Sequence, residues 1–369
     1  MIPYAKQHIE KRDLAAVAAA LRSNWLTQGP QGLAFEKALA DYCGAKYAVA
    51  VSSGTAALHL AYLAAGLGAG DGIITSPNTF VATANMVLAV GAKPVFGDIR
   101  LDTYNLDEKK IENLITKKTK AIVPVHFAGQ PAALPAIAAI AKKYNLLVIE
   151  DACHALGARL GKDKIGSCTY SDMAVFSFHA VKSITTAEGG AVLTNNRKFY
   201  DKLKIMRSHG IHKDENGFNV MTEFGYNYRL TELQAALGIE QLKRLDKFIK
   251  LRRQIVKIYE HELGAVMGII LPKELPLNHS AWHLYVIRTM SKADRLPLYR
   301  HLLKSGVGVN FHYPAVYSQP YYKKLGFRNI ACPRMDNYHR TAITLPLHLE
   351  LTKKDIERVA RAVKLYFKS

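Results

Sequence analysis

Between Leu33 and Leu242, short apolar, β-branched runs alternate with longer Ala-rich stretches whose apolar positions recur every three or four residues. The first pattern is that of strands buried on both faces, the second that of helices covering them, so this region reads as an α/β fold with a mostly parallel sheet. Predicted strands are YAVAV from Tyr47 to Val51, GIIT near Ile73, KPVFGDI near Val95, AIVPV from Ala121 to Val125 and LLVIED from Leu146 to Asp151. Predicted helices lie between them in TAALHLAYLAA, FVATANMVLAVG, DEKKIENLI and ALPAIAAIAKKYN, with Pro and Gly at the joints. The stretch AVFSFHAVKSITTAEGGAVLTN breaks the alternation: it reads as two strands joined by a polar, Gly-ended loop that holds one lysine, Lys182.

From Thr231, the amphipathic run TELQAALGIEQLKRLDKFIKLRRQIVKIYEHEL is longer than a typical globular helix and is expected to link two domains. Beyond it, HLYVIRT and GVGVNFHY are predicted strands, and DRLPLYRHLLKSG and DIERVARAVKLYFK predicted helices, of a second α/β layer. The expected division is an N-terminal segment 1–30 packing near the active site, a large domain 31–245 and a small C-terminal domain 246–369.

Composition changes this picture little. With 369 residues, nearly half of them hydrophobic, the chain can bury a substantial core. No apolar run approaches a membrane span and the start, MIPYAKQHIEKRD, lacks an apolar core of signal-peptide length, so a soluble cytoplasmic protein with no membrane partner is expected. Cys43, Cys153, Cys168 and Cys332 are widely spaced and form no metal-ligand motif; neither disulfides nor a metal is expected. The formal charge of +20 raises a nucleic-acid partner, but the basic residues are interleaved with apolar ones at helical spacing and read as solvated helix faces. A positive field also suits a phosphorylated cofactor and a nucleotide-linked substrate.

Three places carry candidate chemistry. In Ser52-Ser-Gly-Thr-Ala-Ala-Leu58 a strand runs into a small-residue turn and a helix, where free backbone N–H groups and the helix dipole favour a phosphate. Asp151 stands at the carboxyl end of a strand, where open α/β sheets place ligands, and a buried carboxylate there needs a partner such as a protonated pyridine nitrogen. His154, three residues on, is in reach of a ring hydroxyl. Taken alone, these residues equally serve as a tight turn, a turn cap and a core histidine. Lys182 lies among apolar and small residues, a poor structural choice because burying an ammonium is costly; the resulting lowered pKa is what Schiff-base chemistry requires. Ser177 sits on the same stretch, and Glu188-Gly-Gly turns the chain into the next strand.

The ordered set SSGTAAL, TFVATANM, EDACHALG, SFHAVKSITTAEGG and GYNYRLTELQAALG resembles the DegT/DnrJ/EryC1/StrS family of sugar aminotransferases over most of the chain. The resemblance implies pyridoxal 5′-phosphate fold type I, with a seven-stranded-type sheet sandwiched by helices and a smaller C-terminal domain. It implies Lys182 as the catalytic residue that carries the cofactor, Asp151 on the pyridinium nitrogen, Phe80 stacked on the ring, His154 near it, and Gly54, Thr55, Ala56 and Ser177 around the phosphate. Asn227 answers to an asparagine supplied by the neighbouring subunit, which implies a homodimer with shared active sites.

Two departures are informative: His154 stands where many members have Gln, and TTAEGG where many read TTGEGG. Both are similar to a subgroup that moves an amino group from L-glutamate to C4 of UDP-linked 4-keto-6-deoxy-N-acetyl-β-L-altrosamine on the route to pseudaminic acid. On that likeness the substrate contacts are Tyr4, Asn24, Trp25, Leu26, Thr27, Gly54, Ser177, Asn227, His312, Tyr313, Pro314 and Ala315; here Pro314-Ala315 follow His-Tyr where the subgroup has Lys-Pro. The alternatives are amination of another 4-keto or 3-keto nucleotide sugar, a dehydratase, against which Lys182 speaks because dehydratase relatives carry histidine there, and a non-catalytic, nucleic-acid-binding regulator.

Overall fold

A computed structural model describes residues 1–368. Seven strands form the central sheet: β1 (Tyr47–Val51), β2 (Gly72–Thr75), β3 (Lys93–Phe96), β4 (Thr119–Val123), β5 (Leu147–Asp151), β6 (Met173–Ser177) and β7 (Gly190–Thr194). Their order is β1-β7-β6-β5-β4-β2-β3. β2 through β6 run parallel, whereas β7 is antiparallel to both β6 and β1. Side chains alternate across the sheet as the two-residue period requires. Thus Ala174 and Phe176 of β6 join a core with Phe35, Leu39, Phe178 and Leu245 on one face, and Met173 and Val175 join Leu58, Leu60 and Tyr62 on the other.

Helices α1 (Lys11–Leu21), α2 (Pro30–Cys43), α3 (Gly54–Ala64), α4 (Ala82–Ala89), α5 (Leu134–Tyr144) and α6 (Arg197–Arg207) surround the sheet. The long amphipathic run is not one helix: α7 (Glu232–Leu242) and α8 (Leu245–Leu263) are separated at Lys243-Arg244. Arg244 leaves helical geometry at φ −110°, ψ 1°, and its guanidinium is engaged by Asp13 and by Glu10, the latter at 3.1 Å, so a tertiary ion pair overrides local helical preference. Leu245, Phe248 and Ile249 of α8 pack into the large-domain core, while Ile255, Val256, Tyr259 and Leu263 enter a second core. That second core covers a three-stranded antiparallel sheet, β8 (Ile269–Ile270), β9 (Tyr285–Thr289) and β10 (Ala342–Leu345) in the order β8-β9-β10, with α9 (Arg295–Lys304) and α10 (Lys353–Lys368) against it.

Two other expectations are corrected. DEKKIENLI forms two 3₁₀ turns, Glu108–Lys110 and Glu112–Leu114, because Asp107 caps Lys109 N–H and the one apolar flank is too short to sustain an α-helix. GVGVNFHY is no strand: Val307 makes a single bridge to Ile2 and Asn310 one to Thr344, so the segment is shared between the N-terminal residues and β10 instead of extending either. Among the described residues no helix is long and apolar enough to cross a membrane.

Candidate active site

Strand ends and helix starts of the large domain meet the segments 4–5 and 310–313 around a cavity of about 550 Å³. At its floor, Asp151 ends β5 with its side chain buried. Its Oδ2 accepts a hydrogen bond from Thr83 Oγ1 at 2.6 Å, and its Oδ1 accepts the Cys153 N–H at 3.2 Å. Thr83 lies in the first turn of α4, and its hydroxyl is also 2.6 Å from that of Thr79. Because Thr83 donates to Asp151, Thr79 donates to Thr83, and the chain of hydroxyls fixes the carboxylate as an acceptor facing the cavity. A carboxylate supported in this way suits a cationic ring nitrogen.

Opposite, β1 runs into α3. Ser53 caps the helix by accepting the Ala56 N–H at 3.1 Å, and the Ala57 N–H goes to Ser53 O. The N–H groups of Gly54 and Thr55 have no protein partner among the described residues and face the cavity with Ser177 at the end of β6. Gly54 is required by packing: a Cβ there stands 2.8 Å from Ser177 Cβ. Gly190, at the start of β7, likewise presses on the α3 terminus, where a Cβ stands 2.4 Å from Ser53 O. Two free N–H groups, a hydroxyl and a helix N-terminus make a cradle that fits a phosphate.

Lys182 reaches the cavity from the loop between β6 and β7, and its ammonium makes no hydrogen bond among the described residues. Burial pushes its pKa below the ordinary lysine value, against the opposing pull of Cys153 and Asp151. The loop is held by Phe178 N–H on Gly189 O and Thr186 N–H on Phe178 O. At its turn, Ala187 adopts a left-handed conformation, φ 65°, with its N–H on Thr185 Oγ1 at 2.9 Å.

The remaining wall is aromatic. His154 is buried; its Nδ1 accepts the Ala128 N–H at 3.3 Å and its Nε2 lies 3.2 Å from Tyr313 Oη. Its pKa lies well below the usual histidine value, chiefly through burial, with Lys182 adding to the effect. Tyr4 sits over His312, ring centroids 5.7 Å apart, and His312 is pushed down to about 4 by burial and by Lys182.

Of the residues expected from sequence, the cavity gathers Tyr4, Gly54, Thr55, Phe80, Asp151, His154, Ser177, Lys182, His312 and Tyr313. Others are not brought there. Ala56 spends its N–H on the helix cap, and Ala315 is fully buried in a core with Phe96 and Tyr338, leaving Pro314-Ala315 outside the lining. Asn24, Trp25, Leu26 and Thr27 belong to a loop tied to the start of α7 through Glu232 N–H on Leu26 O, with Trp25 and Leu26 exposed. Asn227 is exposed and bridges Ser208. Thr83, Thr79 and His283 line the cavity without having been singled out. The pair Thr79/Thr83 had a legible signal in its i, i+4 spacing at a helix start; His283 had none, since only folding lays its ring 4.4 Å from that of His154.

Similarity to known proteins shows the family. The model of the DegT/DnrJ/EryC1/StrS aminotransferase family matches residues 7–364. The UDP-4-amino-4,6-dideoxy-N-acetyl-β-L-altrosamine transaminase of Campylobacter jejuni subsp. jejuni serotype O:23/36 is 41% identical over 364 residues, 97% of this chain and 96% of that protein. Among solved structures, Helicobacter pylori PseC, an aminotransferase involved in the biosynthesis of pseudoaminic acid, superposes with a TM-score of 0.95 at 34% identity, covering 100% of this chain and 99% of that one. The putative sugar aminotransferase Spr1654 from Streptococcus pneumoniae in its PMP form gives 0.95 at 30% identity with the same coverage, and its PLP form 0.94 at 29%, covering 100% of this chain and 98% of that one.

Proposed function

The chain belongs to the DegT/DnrJ/EryC1/StrS aminotransferase family and is a pyridoxal phosphate-dependent sugar aminotransferase; from that premise we propose that it moves an amino group from L-glutamate to C4 of UDP-4-keto-6-deoxy-N-acetyl-β-L-altrosamine. The observation that carries the substrate is the 41% identity, over nearly the whole chain, to the Campylobacter altrosamine transaminase. Residues 31–245 hold the cofactor in this reading, residues 246–369 close the cavity from the side of Asn310 to Tyr313, and residues 1–30 bring in Tyr4.

Bound pyridoxal phosphate supplies a carbonyl that condenses with an amine and a ring that draws electrons from the adjacent carbon. Gly54 and Thr55 N–H and Ser177 would hold its phosphate, Phe80 would lie against its ring, and Asp151, held by Thr83, would pair with its ring nitrogen and favour the protonated, electron-withdrawing form. Lys182 Nζ takes a proton from the α-carbon of the amino donor and later delivers one to the sugar carbon that receives nitrogen. The burial that lowers its pKa favours the free amine that this step needs. Glutamate and sugar occupy the cavity in turn.

The reading includes a cytoplasmic location, and a homodimer in which Asn227 and the Asn24 to Thr27 loop complete the partner's site. Two facts support the dimer: those residues lie outside their own cavity, and Trp25, Leu26, Phe218, Met221 and Phe224 are apolar yet exposed.

The test is product formation: incubation with glutamate and the altrosamine-type 4-keto UDP-sugar, with mass spectrometry for the amine. Amination of a GDP-linked or gluco-configured analogue instead would overturn the substrate and leave the family intact. K182A is expected to lose both the visible absorbance of the loaded protein and turnover; full turnover would refute the role of Lys182.

A further inference from the structure

A second cavity, of about 570 Å³, shares no lining residue with the first, and its volume is that of a small-molecule site. One wall is a stripe of α8, with Asp246, Ile249, Lys250, Arg253 and Lys257 at the three- and four-residue spacing of a single helix face. The other wall is Gly157 and Arg159, joined to His279 where the short strands Arg159–Leu160 and Asn278–His279 pair antiparallel. Gly157 brings the walls together: at φ 90° it lies so close to α8 that a Cβ there would stand 2.9 Å from Ile249 Cγ1. The cavity spans the seam between the large domain and the segment that runs on to His283, a wall residue of the catalytic cavity.

Its charge is one-sided. The side chains of Arg159, Lys250 and Lys257 make no hydrogen bond or ion pair among the described residues. The neighbouring carboxylates are engaged elsewhere: Asp246 Oδ1 accepts the Tyr42 hydroxyl at 2.6 Å, and Glu274 holds the Arg253 guanidinium with both oxygens, at 2.7 and 2.8 Å. Glu260 pairs with neither Arg253 nor Lys257, and burial, then Glu274, pushes its carboxyl up from the usual value. His279 is held below the ordinary histidine value by burial and then by Arg253, with Arg159 adding to it and Glu274 opposing. A bound anion would therefore meet cations that have no competing partner.

The spacing sets the shape of that anion. Lys250 and Lys257 stand about two turns, or about 10 Å, apart along α8, with Arg159 on the facing wall. One phosphate reaches only part of this set, whereas two linked phosphates offer oxygens to both lysines and to the guanidinium fork. We infer that this cavity is a second ligand site, for an anion carrying two linked phosphates, held by Arg159, Lys250 and Lys257. It gives the basic face of α8 a use besides solvation, and it is independent of which sugar the enzyme aminates.

The experiment is calorimetric titration of the cofactor-loaded, full-length protein with inorganic pyrophosphate, orthophosphate and ADP. Pyrophosphate is expected to bind more tightly than orthophosphate. K250A/K257A should weaken it about tenfold and R159A about fivefold, the scale of part-exposed ion pairs, while K117A/K118A, which removes the same charge elsewhere, should leave it unchanged. Cofactor absorbance and turnover should stay at the wild-type level in all three variants. ADP, read by the affinity that K250A/K257A loses, assigns a nucleotide as the source if tighter than pyrophosphate and the diphosphate group alone if not; both support the site. No binding at millimolar pyrophosphate, equal affinity for orthophosphate, an affinity unchanged in K250A/K257A, or equal losses in the two lysine pairs would each overturn it.

Discussion

Replacing Thr83 by valine removes one hydroxyl while nearly preserving shape, and the structure sets what that costs. Asp151, buried at the end of β5, loses its 2.6 Å donor and retains the Cys153 N–H at 3.2 Å; Thr79 loses its acceptor in the same change. A hydrogen bond to a charged group contributes about 1.5 to 3 kcal/mol, and the cost falls on a buried carboxylate left with only the Cys153 N–H and the weakly donating Cys153 thiol. T83V is therefore expected to lose about 2 kcal/mol of unfolding free energy in the cofactor-free protein. T83S, which keeps the donor, should lose well under half of that. Urea unfolding, followed by a probe of the large-domain core, measures both. The turnover number of T83V should also fall, because Asp151 is no longer held facing the cavity, and T83S should restore it. A T83V protein as stable as wild type would refute the reasoning, since it would mean that Asp151 is satisfied by another group in solution.

Other consequences follow from single positions. Ala187 at φ 65° carries the left-handed strain that many relatives avoid with glycine, so A187G is expected to be more stable by about 0.5 to 1 kcal/mol after the entropic cost of glycine, as checked by calorimetry. R244M leaves the Asp13 carboxylate buried with Glu10 N–H at 2.7 Å and Gln241 Nε2 at 3.0 Å; a loss of about 3 kcal/mol is expected in urea titration, partly recovered by D13N/R244M. His312 is held neutral in the folded protein and pushed down to about 4, whereas the unfolded chain protonates near 6.5. Its contribution is complete above pH 6.5 and is lost as pH falls to about 4, a total of about 3 kcal/mol by linkage. H312Q should flatten that limb of a stability-versus-pH curve.

The large-domain fold was legible because its strands are continuous apolar runs and its helices have a clear apolar period; five strands, the β6 to β7 hairpin and Lys182 in its loop stand where the pattern puts them. Asp151, Ser177 and the turn before α3 were readable for the same reason, since a site at strand ends inherits the positions of the strands. What the pattern did not contain was anything decided by contacts between distant segments. The break between α7 and α8 comes from Arg244 meeting Asp13, more than two hundred residues away in the chain, and nothing local at Lys243-Arg244 signals it. The partition of the expected site has the same origin. Tyr4 and His312 arrive beside Lys182 because Ile2 and Val307 bridge in the second domain, while Asn24 to Thr27 and Asn227, with equally suggestive side chains, are tied down elsewhere. The company of His154, the Ala128 N–H at its Nδ1 and Tyr313 Oη beside its Nε2, was decided in the same way. Local periodicity is a property of neighbours along the chain and survives in the sequence; the ionisation, tautomer and company of a buried side chain depend on which remote groups pack against it, and only the folded structure brings those together.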